Sequence, residues 1–258
     1  GLEYNGEGSF TRRHSAEYIG VYGPFTQKEM IMTGDIRSTP VIIGSPRFDV
    51  YASVLKKNKE SVKTLNDKIH FLCIANAIET VADADAYAFE EYFSAIAFAL
   101  KGIVNANVVV KLRPGANIRN SLARRIIAST LGDIPHTIAH NEPLSELFSR
   151  ADVVISGYTT AAIEAMQCGK PLVFLGLSSI EKLFGLHHFH AYVENNAMRL
   201  ATTKEDFARI TKELSVHPEM REELAAQGVA FLQREYLFDG HASKRMADLI
   251  LSLVGDKK

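Results

Sequence analysis

Five consecutive residues between an apolar run and an amphipathic segment have the types and spacing of an anion-binding turn. The five are Ser156, Gly157, Tyr158, Thr159 and Thr160. The first backbone N–H groups of a helix have no partner within the helix, and they attract negative charge. Hydroxyl groups add further donors, and a glycine allows a phosphate to approach the backbone closely. The turn is therefore predicted to bind the phosphate groups of a ligand.

Glu164 lies four residues after Thr160, a spacing that puts both side chains on the same face of a helix. A carboxylate one turn beyond a phosphate site can accept hydrogen bonds from the hydroxyl groups of a ribose. Residues 152–171 are therefore predicted to bind the nucleotide-diphosphate part of a ligand. The alternative is an ordinary capped helix with a glutamate on its surface.

Three further polar residues are candidates for ligand binding. Arg47 follows Ser45-Pro46 after a short apolar run, and it could either reach a cleft between domains or form a surface salt bridge. Asp239 and Ser243 lie on either side of the start of the last predicted helix, where Asp239 could contact a ligand or cap that helix.

Metal-ligand spacing is not seen in the sequence. Cys73 and Cys168 lie among apolar residues without a Cys-x-x-Cys pattern, which is typical of small buried side chains in a reducing compartment. His187, His188 and His190 are close together, but the alternation of an extended strand would divide them between two faces. We expect neither a metal ion nor a cofactor.

Apolar runs alternate with amphipathic segments over most of the chain. The predicted strands are 18–22, 40–44, 69–75, 107–112, 136–139, 153–156, 172–175 and, more weakly, 190–193. Helices are predicted at 26–32 with Thr26 as N-cap, at 86–104, 118–131, 144–149 and 160–168, and in the tail, where Thr203 caps one helix and Pro218 begins another. Continuous apolar strands that alternate with helices predict an α/β fold with a doubly wound parallel sheet.

Ligands of such sheets bind beyond the carboxyl ends of the strands, where the turn 156–160 and Arg113 are expected to lie. Neither a Gly-x-Gly-x-x-Gly turn nor a Gly-x-x-x-x-Gly-Lys-Ser/Thr loop follows any strand. A conventional NAD site and a P-loop are therefore both disfavoured.

Four segments, in order along the chain, resemble motifs of known transferases. Residues 152–171, with Asp-Val-Val-Ile-Ser and Glu-Ala-Met-x-x-Gly-Lys-Pro, resemble the nucleotide-binding element of GT-B glycosyltransferases. Residues 18–49, which end in Gly-Ser-Pro-Arg-Phe-Asp, resemble a segment of cell-surface polymer transferases. Residues 109–114, Val-Val-Lys-Leu-Arg-Pro, resemble their Lys-x-His-Pro segment. Residues 238–245, Phe-Asp-Gly-His-Ala-Ser-Lys-Arg, resemble the Asp-Gly-x-Ala-Ser-x-Arg segment of the CDP-glycerol glycerophosphotransferases.

The resemblance implies the Rossmann-like, donor-binding C-terminal domain of a GT-B transferase at 69–258. Residues 1–50 would be the end of the N-terminal Rossmann-like domain, and 51–68 a helix and linker. The chain is then expected to be a fragment, because the acceptor site and the usual catalytic base of GT-B enzymes belong to the N-terminal domain.

Arg113 stands where the resembled family usually has histidine. An arginine supplies charge and bidentate hydrogen bonds but no transferable proton, which favours a donor that carries a carboxylate or a phosphate. The implied activity is transfer of a nucleotide-activated sugar or polyol phosphate to a glycan or glycolipid acceptor in cell-envelope biosynthesis. The alternatives are a nucleotide-sugar epimerase or hydrolase of the same fold and a non-catalytic nucleotide-binding or scaffold domain.

The charge balance and the apolar runs restrict the partners. The formal net charge is −1, from 29 basic and 30 acidic residues, so a global basic field for nucleic acid is absent. No apolar run is long enough to cross a membrane. We expect a cytoplasmic protein, with peripheral association at the cytoplasmic face of the membrane as a further expectation.

Overall fold

The structure is a computed structural model of the chain, and it describes residues 16–32, 38–60, 68–74, 83–112, 117–157, 159–177 and 189–255. Within these ranges the strands are β1 (Tyr18–Val21), β2 (Thr39–Ile42), β3 (Ile69–Ile74), β4 (Ala106–Lys111), β5 (His136–Ala139), β6 (Val153–Ser156), β7 (Leu172–Leu175) and β8 (Arg199–Ala201). The α-helices are α1 (Pro24–Met32), α2 (Asp49–Glu60), α3 (Asp83–Leu100), α4 (Asn117–Leu131), α5 (Leu144–Arg150), α6 (Ala161–Gln167), α7 (His190–Glu194), α8 (Lys204–Val216), α9 (Pro218–Glu235) and α10 (Ala242–Gly255).

Six strands form one parallel sheet in the spatial order β5-β4-β3-β6-β7-β8. The chain starts in the middle with β3, moves outward to β5, and then returns to place β6 on the other side of β3. This is the order of a doubly wound Rossmann-like sheet. The direction in which the chain adds successive strands reverses between β3 and β6. The predicted fold class is confirmed.

Alternate residues of each central strand pack into two separate cores. On one face, Phe71 and Val153 pack with apolar residues of α3, α4 and α8. On the other face, Leu72 and Val154 pack with α5, α6, α7 and α9. Since both faces are covered by helices, the central strands consist mostly of apolar residues.

A second, two-stranded parallel sheet is formed by β1 and β2. A short 3-10 helix (Pro46–Phe48) follows β2 and leads directly into α2. Phe48 is buried in the same core as α6, so this part of the chain packs against the six-stranded unit. The division of the chain at 50 and 68 into domains stays a prediction.

Two local predictions are wrong. The region 190–193 forms the helix α7, and the last strand of the sheet is β8. Phe189 and Tyr192, three residues apart, both pack in one aromatic cluster, which is helical spacing; a run of four residues is too short to distinguish the two periods. Helix α1 begins at Pro24, two residues before the predicted cap Thr26, because proline suits the first helical position.

The helix ends predicted in the tail are confirmed. Thr203 accepts a hydrogen bond from the backbone N–H of Asp206 at 3.1 Å and so caps α8, and Pro218 is the first residue of α9. Both cysteines are buried, as predicted.

Tyr92 of α3 links the two strands between which the sheet order reverses. Its buried hydroxyl lies 3.2 Å from the carbonyl oxygens of both Ile74 in β3 and Ile155 in β6. Replacing Tyr92 by phenylalanine is expected to lower the free energy of unfolding by about 1–2 kcal/mol, because buried carbonyls lose a donor. Urea denaturation checks this, with Tyr87→Phe as the control on the exposed side of the same helix. Equal effects of the two changes would contradict it.

Candidate functional site

The predicted phosphate-binding turn lies where the order of the sheet reverses. Ser156, the last residue of β6, is in register with Ile74, the last residue of β3. Gly157 follows at once, and α6 begins at Ala161. In doubly wound sheets the crevice at this reversal is the usual ligand site, so the fold puts the turn at the position expected for a bound nucleotide.

The N–H groups at the start of α6 are already hydrogen-bonded. Ala161 donates to the Thr159 hydroxyl oxygen at 3.3 Å and Ala162 to the Thr159 carbonyl at 3.1 Å. Ile163 and Glu164 both donate to the carbonyl of Thr160. The expectation of free N–H groups is therefore wrong for these four residues. Phosphate binding would depend on the turn before the helix, and it stays a prediction.

The side chains within the turn differ in accessibility. Ser156 is fully buried, and its hydroxyl donates to the carbonyl of Gly157 at 3.0 Å. Thr159 and Thr160 are half-buried, and the Thr160 hydroxyl does not cap the helix. The two threonines are thus better placed than Ser156 to meet a ligand. Tyr158 lies outside the described residues.

Glu164 is fully buried, so the alternative of a glutamate on the helix surface is wrong. Its Oε1 accepts a hydrogen bond from Arg47 Nη2 at 2.8 Å, and its Oε2 accepts one from the hydroxyl of Tyr51. Arg47 therefore forms a salt bridge, which is one of the two roles predicted for it. Its partner, however, is a carboxylate that has no solvent exposure. Two candidate residues 117 positions apart in sequence are in direct contact.

Burial raises the pKa of Glu164, although the hydrogen bond from Tyr51 and the charge of Arg47 act against this rise. Burial and the neighbouring Glu164 also raise the pKa of Tyr51, so the phenol stays protonated and donates to the carboxylate. The ionised form of Glu164 thus depends on two partners that both come from residues 47–51.

Residues 43–51, which we name the docking segment, are also held at two other places. Gln167 of α6 donates through Nε2 to the carbonyl oxygen of Phe48 at 3.2 Å. Asp49 accepts hydrogen bonds from the backbone N–H groups of Ala242 at 3.0 Å and Ser243 at 2.8 Å. Asp49 therefore caps α10 from a distance of 193 residues in sequence. Although burial opposes ionisation, these hydrogen bonds and the charge of Arg245 lower the pKa of Asp49.

Asp239 is paired with Arg245 and is not the cap of α10. The two oxygens of its carboxylate accept hydrogen bonds from the Arg245 guanidinium at 2.7 and 2.9 Å, and this pairing lowers the pKa of Asp239 to about 2. Arg245 Nε also donates to the carbonyl of Ile43 at 2.8 Å. Asp239 and Ser243 therefore lie beside the docking segment, where both are linked to it through Arg245 and Asp49.

The candidates form two groups. The turn 156–160 lies at the sheet edge, and Glu164, one helical turn further on, joins it to the docking segment with Arg47. Ser243 contacts that segment at Asp49, and Asp239 is linked to it through Arg245. Arg113 lies outside the described residues. Its predicted role, to supply positive charge and hydrogen bonds to the donor, therefore stays a prediction.

Sequence reasoning missed Tyr51, Asp49 and Lys111. Tyr51 lies four residues after Arg47, a helical spacing that indicates a shared partner. Lys111, at the carboxyl end of β4, is buried, and its Nζ donates to the carbonyl of His140 at 2.6 Å. Burial lowers the pKa of this lysine.

The described residues contain neither a metal-ligand cluster nor a membrane-spanning helix. No three side chains of His, Cys, Asp or Glu in these ranges are grouped in a way that could hold a metal ion. None of the described helices is long and apolar enough to span a membrane. The expectation of chemistry without a metal stays a prediction.

Several solved structures have a similar fold. The chain is similar to S. aureus MnaA in a co-structure with UDP (TM-score 0.63, 16% identity, 93% of this chain and 60% of that chain). It is also similar to a putative UDP-N-acetylglucosamine 2-epimerase from Listeria monocytogenes (0.57, 15%, 91% and 59%) and to the wall teichoic acid polymerase TagF (0.56, 18%, 93% and 59%).

These similarities confirm the predicted GT-B fold. The chain spans about 60% of the length of these structures. No family model and no curated protein matches the sequence. At 15–18% identity these similarities show the fold and not the activity.

Proposed function

We propose that this chain is the donor-binding part of a GT-B transferase in cell-envelope polysaccharide or glycolipid biosynthesis. The observation that supports this most directly is the turn 156–160, which follows the strand at the reversal of the sheet order and precedes the buried Glu164 by one helical turn. The donor would be a nucleotide-activated sugar or polyol phosphate. Its phosphates would meet the turn, and the ribose would meet Glu164.

In the proposed reaction the bond between the transferred group and the nucleotide phosphate breaks, and an acceptor hydroxyl oxygen forms the new bond. Negative charge then develops on the departing phosphate. Arg113 and the hydroxyls of Thr159 and Thr160 would stabilise that charge without a metal ion. A base from another domain would take the proton of the acceptor hydroxyl. We further propose that the chain divides into domains at residues 50 and 68 and that the acceptor is a glycan or glycolipid. The reaction would take place at the cytoplasmic face of the membrane.

Replacing Thr160 by alanine is expected to weaken the binding of a nucleoside diphosphate about tenfold, because a hydrogen bond to a charged group is worth about 1.5–3 kcal/mol. Calorimetric titration with CMP, CDP, UDP and GDP measures the affinity and also shows which nucleobase the site prefers. Thr130→Ala is the matched control, since Thr130 is also half-buried but bonds only within α4. Unchanged affinity in Thr160→Ala would remove this residue from the site. If none of the four nucleotides binds the unmodified protein at millimolar concentration, the proposed function is wrong.

The rival with a specific observation in its favour is a nucleotide-sugar epimerase. One of the similar structures described above is a putative epimerase, and it has the same fold. Incubation with UDP-N-acetylglucosamine, followed by NMR of the sugar, distinguishes the two activities: an epimer formed without any acceptor supports the epimerase. Nucleotide binding without epimerisation or transfer would instead favour a non-catalytic binding domain.

A further inference from the structure

The carboxylate proposed to hold the ribose is hydrogen-bonded at both oxygens and fully buried in this structure. Tyr51 donates its hydroxyl to one oxygen of Glu164, and Arg47 donates to the other. Both donors come from the docking segment, and the carboxylate has no contact with solvent. Each carboxylate oxygen can accept a second hydrogen bond, but Glu164 has no exposed surface. The two adjacent hydroxyls of a ribose could therefore reach it only where these side chains withdraw.

The phenol of Tyr51 is the closest chemical equivalent of a ribose hydroxyl in this arrangement. It is a neutral O–H donor to a buried carboxylate, and its ring packs edge-on against Phe48 and Phe148 with centroids 6.2 Å away. This packing places the hydroxyl on Glu164, so the ring has to shift when another donor takes the place of the hydroxyl. Without a donor at this place, the buried carboxylate would lose one of its two hydrogen bonds, at a considerable cost in free energy.

Arg47 differs from Tyr51 because its side chain is 65% exposed. Its guanidinium is already largely hydrated, so the cost of leaving Glu164 is the lost hydrogen bond and ion pair, which a new anionic partner would replace. The turn 156–160 directly precedes α6, and its last residue, Thr160, lies one helical turn before Glu164. A diphosphate bound at that turn would offer Arg47 an anionic partner in place of the carboxylate, in the bidentate geometry that arginine favours with phosphates.

The geometry points to an exchange of partners when the donor binds, an inference that rests on the proposed function. Tyr51 and Arg47 donate hydrogen bonds to Glu164 in this structure. The ribose hydroxyls then replace Tyr51 at the carboxylate, and Arg47 transfers its hydrogen bonds from Glu164 to the diphosphate. Tyr51 would thus oppose binding of the ribose, whereas Arg47 would make binding selective for nucleotides that carry a diphosphate.

The test compares each nucleoside with its diphosphate in one protein preparation. Dissociation constants for cytidine, uridine and guanosine and for CDP, UDP and GDP are measured by calorimetry with the unmodified chain, Y51F and R47A. The informative quantity is the ratio of the nucleoside constant to the diphosphate constant. Because both ligands are bound by the same folded molecules, loss of stability in a variant cancels from this ratio.

Y51F is expected to bind nucleoside and diphosphate about fivefold more tightly with an unchanged ratio, since a competitor for Glu164 is removed. R47A is expected to lower the ratio about tenfold or more, because the diphosphate loses a cation and the nucleoside does not. Arg150→Ala, which removes an equally exposed arginine from an ion pair on α5, should leave every constant unchanged.

Three results would overturn the exchange. If Y51F and R47A both weaken nucleoside and diphosphate by the same factor, the two side chains only hold Glu164 in place. If both leave all constants unchanged while the unmodified chain binds nucleotide, the ribose does not use Glu164, yet the proposed function survives. If no variant and no unmodified protein binds any of the six ligands, the proposed function fails and the exchange fails with it.

Discussion

Replacing Arg47 by alanine is expected to lower the free energy of unfolding at pH 8 by about 2–3 kcal/mol, although the side chain is mostly exposed. Its partner Glu164 has no exposure, so the change leaves an ionised carboxylate buried with one hydrogen bond from Tyr51. Breaking a fully buried ion pair typically costs about 3–5 kcal/mol. We expect less here because solvent already screens Arg47 and Tyr51 retains its bond.

The cost of the Arg47 substitution should depend on pH. Burial already raises the pKa of Glu164, and removal of the arginine charge removes an influence that lowers it. The pKa of the folded variant therefore rises further above the value in the unfolded chain. An acid with a raised pKa in the folded state loses stability as the pH rises through that pKa. The difference between unmodified protein and variant should thus be larger at pH 8 than at pH 5.

Urea denaturation at the two pH values checks this, and the chain contains a matched control. Arg150 is 67% exposed, against 65% for Arg47, and it also pairs with a glutamate, but Glu146 is 63% exposed. Arg150→Ala is expected to change the free energy of unfolding by no more than about 0.5 kcal/mol at both pH values. Equal effects of the two substitutions at pH 8 would show that Glu164 does not depend on Arg47.

The fold could be predicted from the sequence because its signals are local. Each central strand is an apolar run flanked by turns, and such runs alternating with helices leave few arrangements other than a doubly wound sheet. The same signals place residues 156–160 after a strand. The helix at 190–194 was missed because Phe189 and Tyr192 are too few to establish a period, and only their packing against Phe174 and Phe231 decides it.

The candidate site could be predicted only in part, because its contacts join distant parts of the chain. The salt bridge between Arg47 and Glu164 joins two residues that each look like surface groups in their own segments. The cap of α10 comes from Asp49, while the nearby Asp239 was the obvious local candidate. Local patterns identify residues that can make such bonds, but tertiary packing decides which partner each of them meets.

These contacts make the docking segment a structural connection between α6 and α10. Glu164 and Gln167 hold it from one side, and Asp49 and Arg245 from the other. Its backbone must therefore run close to that of residues 237–242. At Gly44 the two backbones leave no room for a side chain, because a Cβ there would meet the carbonyl oxygen of Leu237. Gly44 has a φ of +81°, and its N–H donates to the carbonyl of Val21 at 3.2 Å.

Replacing Gly44 by alanine is expected to lower the free energy of unfolding by about 3–4 kcal/mol. The positive φ alone costs a residue with a side chain about 1–2 kcal/mol. In addition, the new methyl group would overlap with the carbonyl oxygen of Leu237 and lie 3.1 Å from Cβ of Ala242. Overpacking of this kind costs about 1–3 kcal/mol, because the backbone of one segment has to move.

Gly132→Ala separates the two causes. Gly132 has a φ of +53°, but an added methyl group there meets no atom within 4 Å, so only the conformational cost of about 1–2 kcal/mol is expected. The excess of Gly44→Ala over Gly132→Ala in urea denaturation then measures the close packing of the docking segment on residues 237–242. Because Arg47 and Tyr51 reach Glu164 only while this segment is docked, Gly44→Ala should also make the stability less sensitive to a second change, Arg47→Ala. Full additivity of the two substitutions would mean that Arg47 reaches Glu164 without the docking of Gly44.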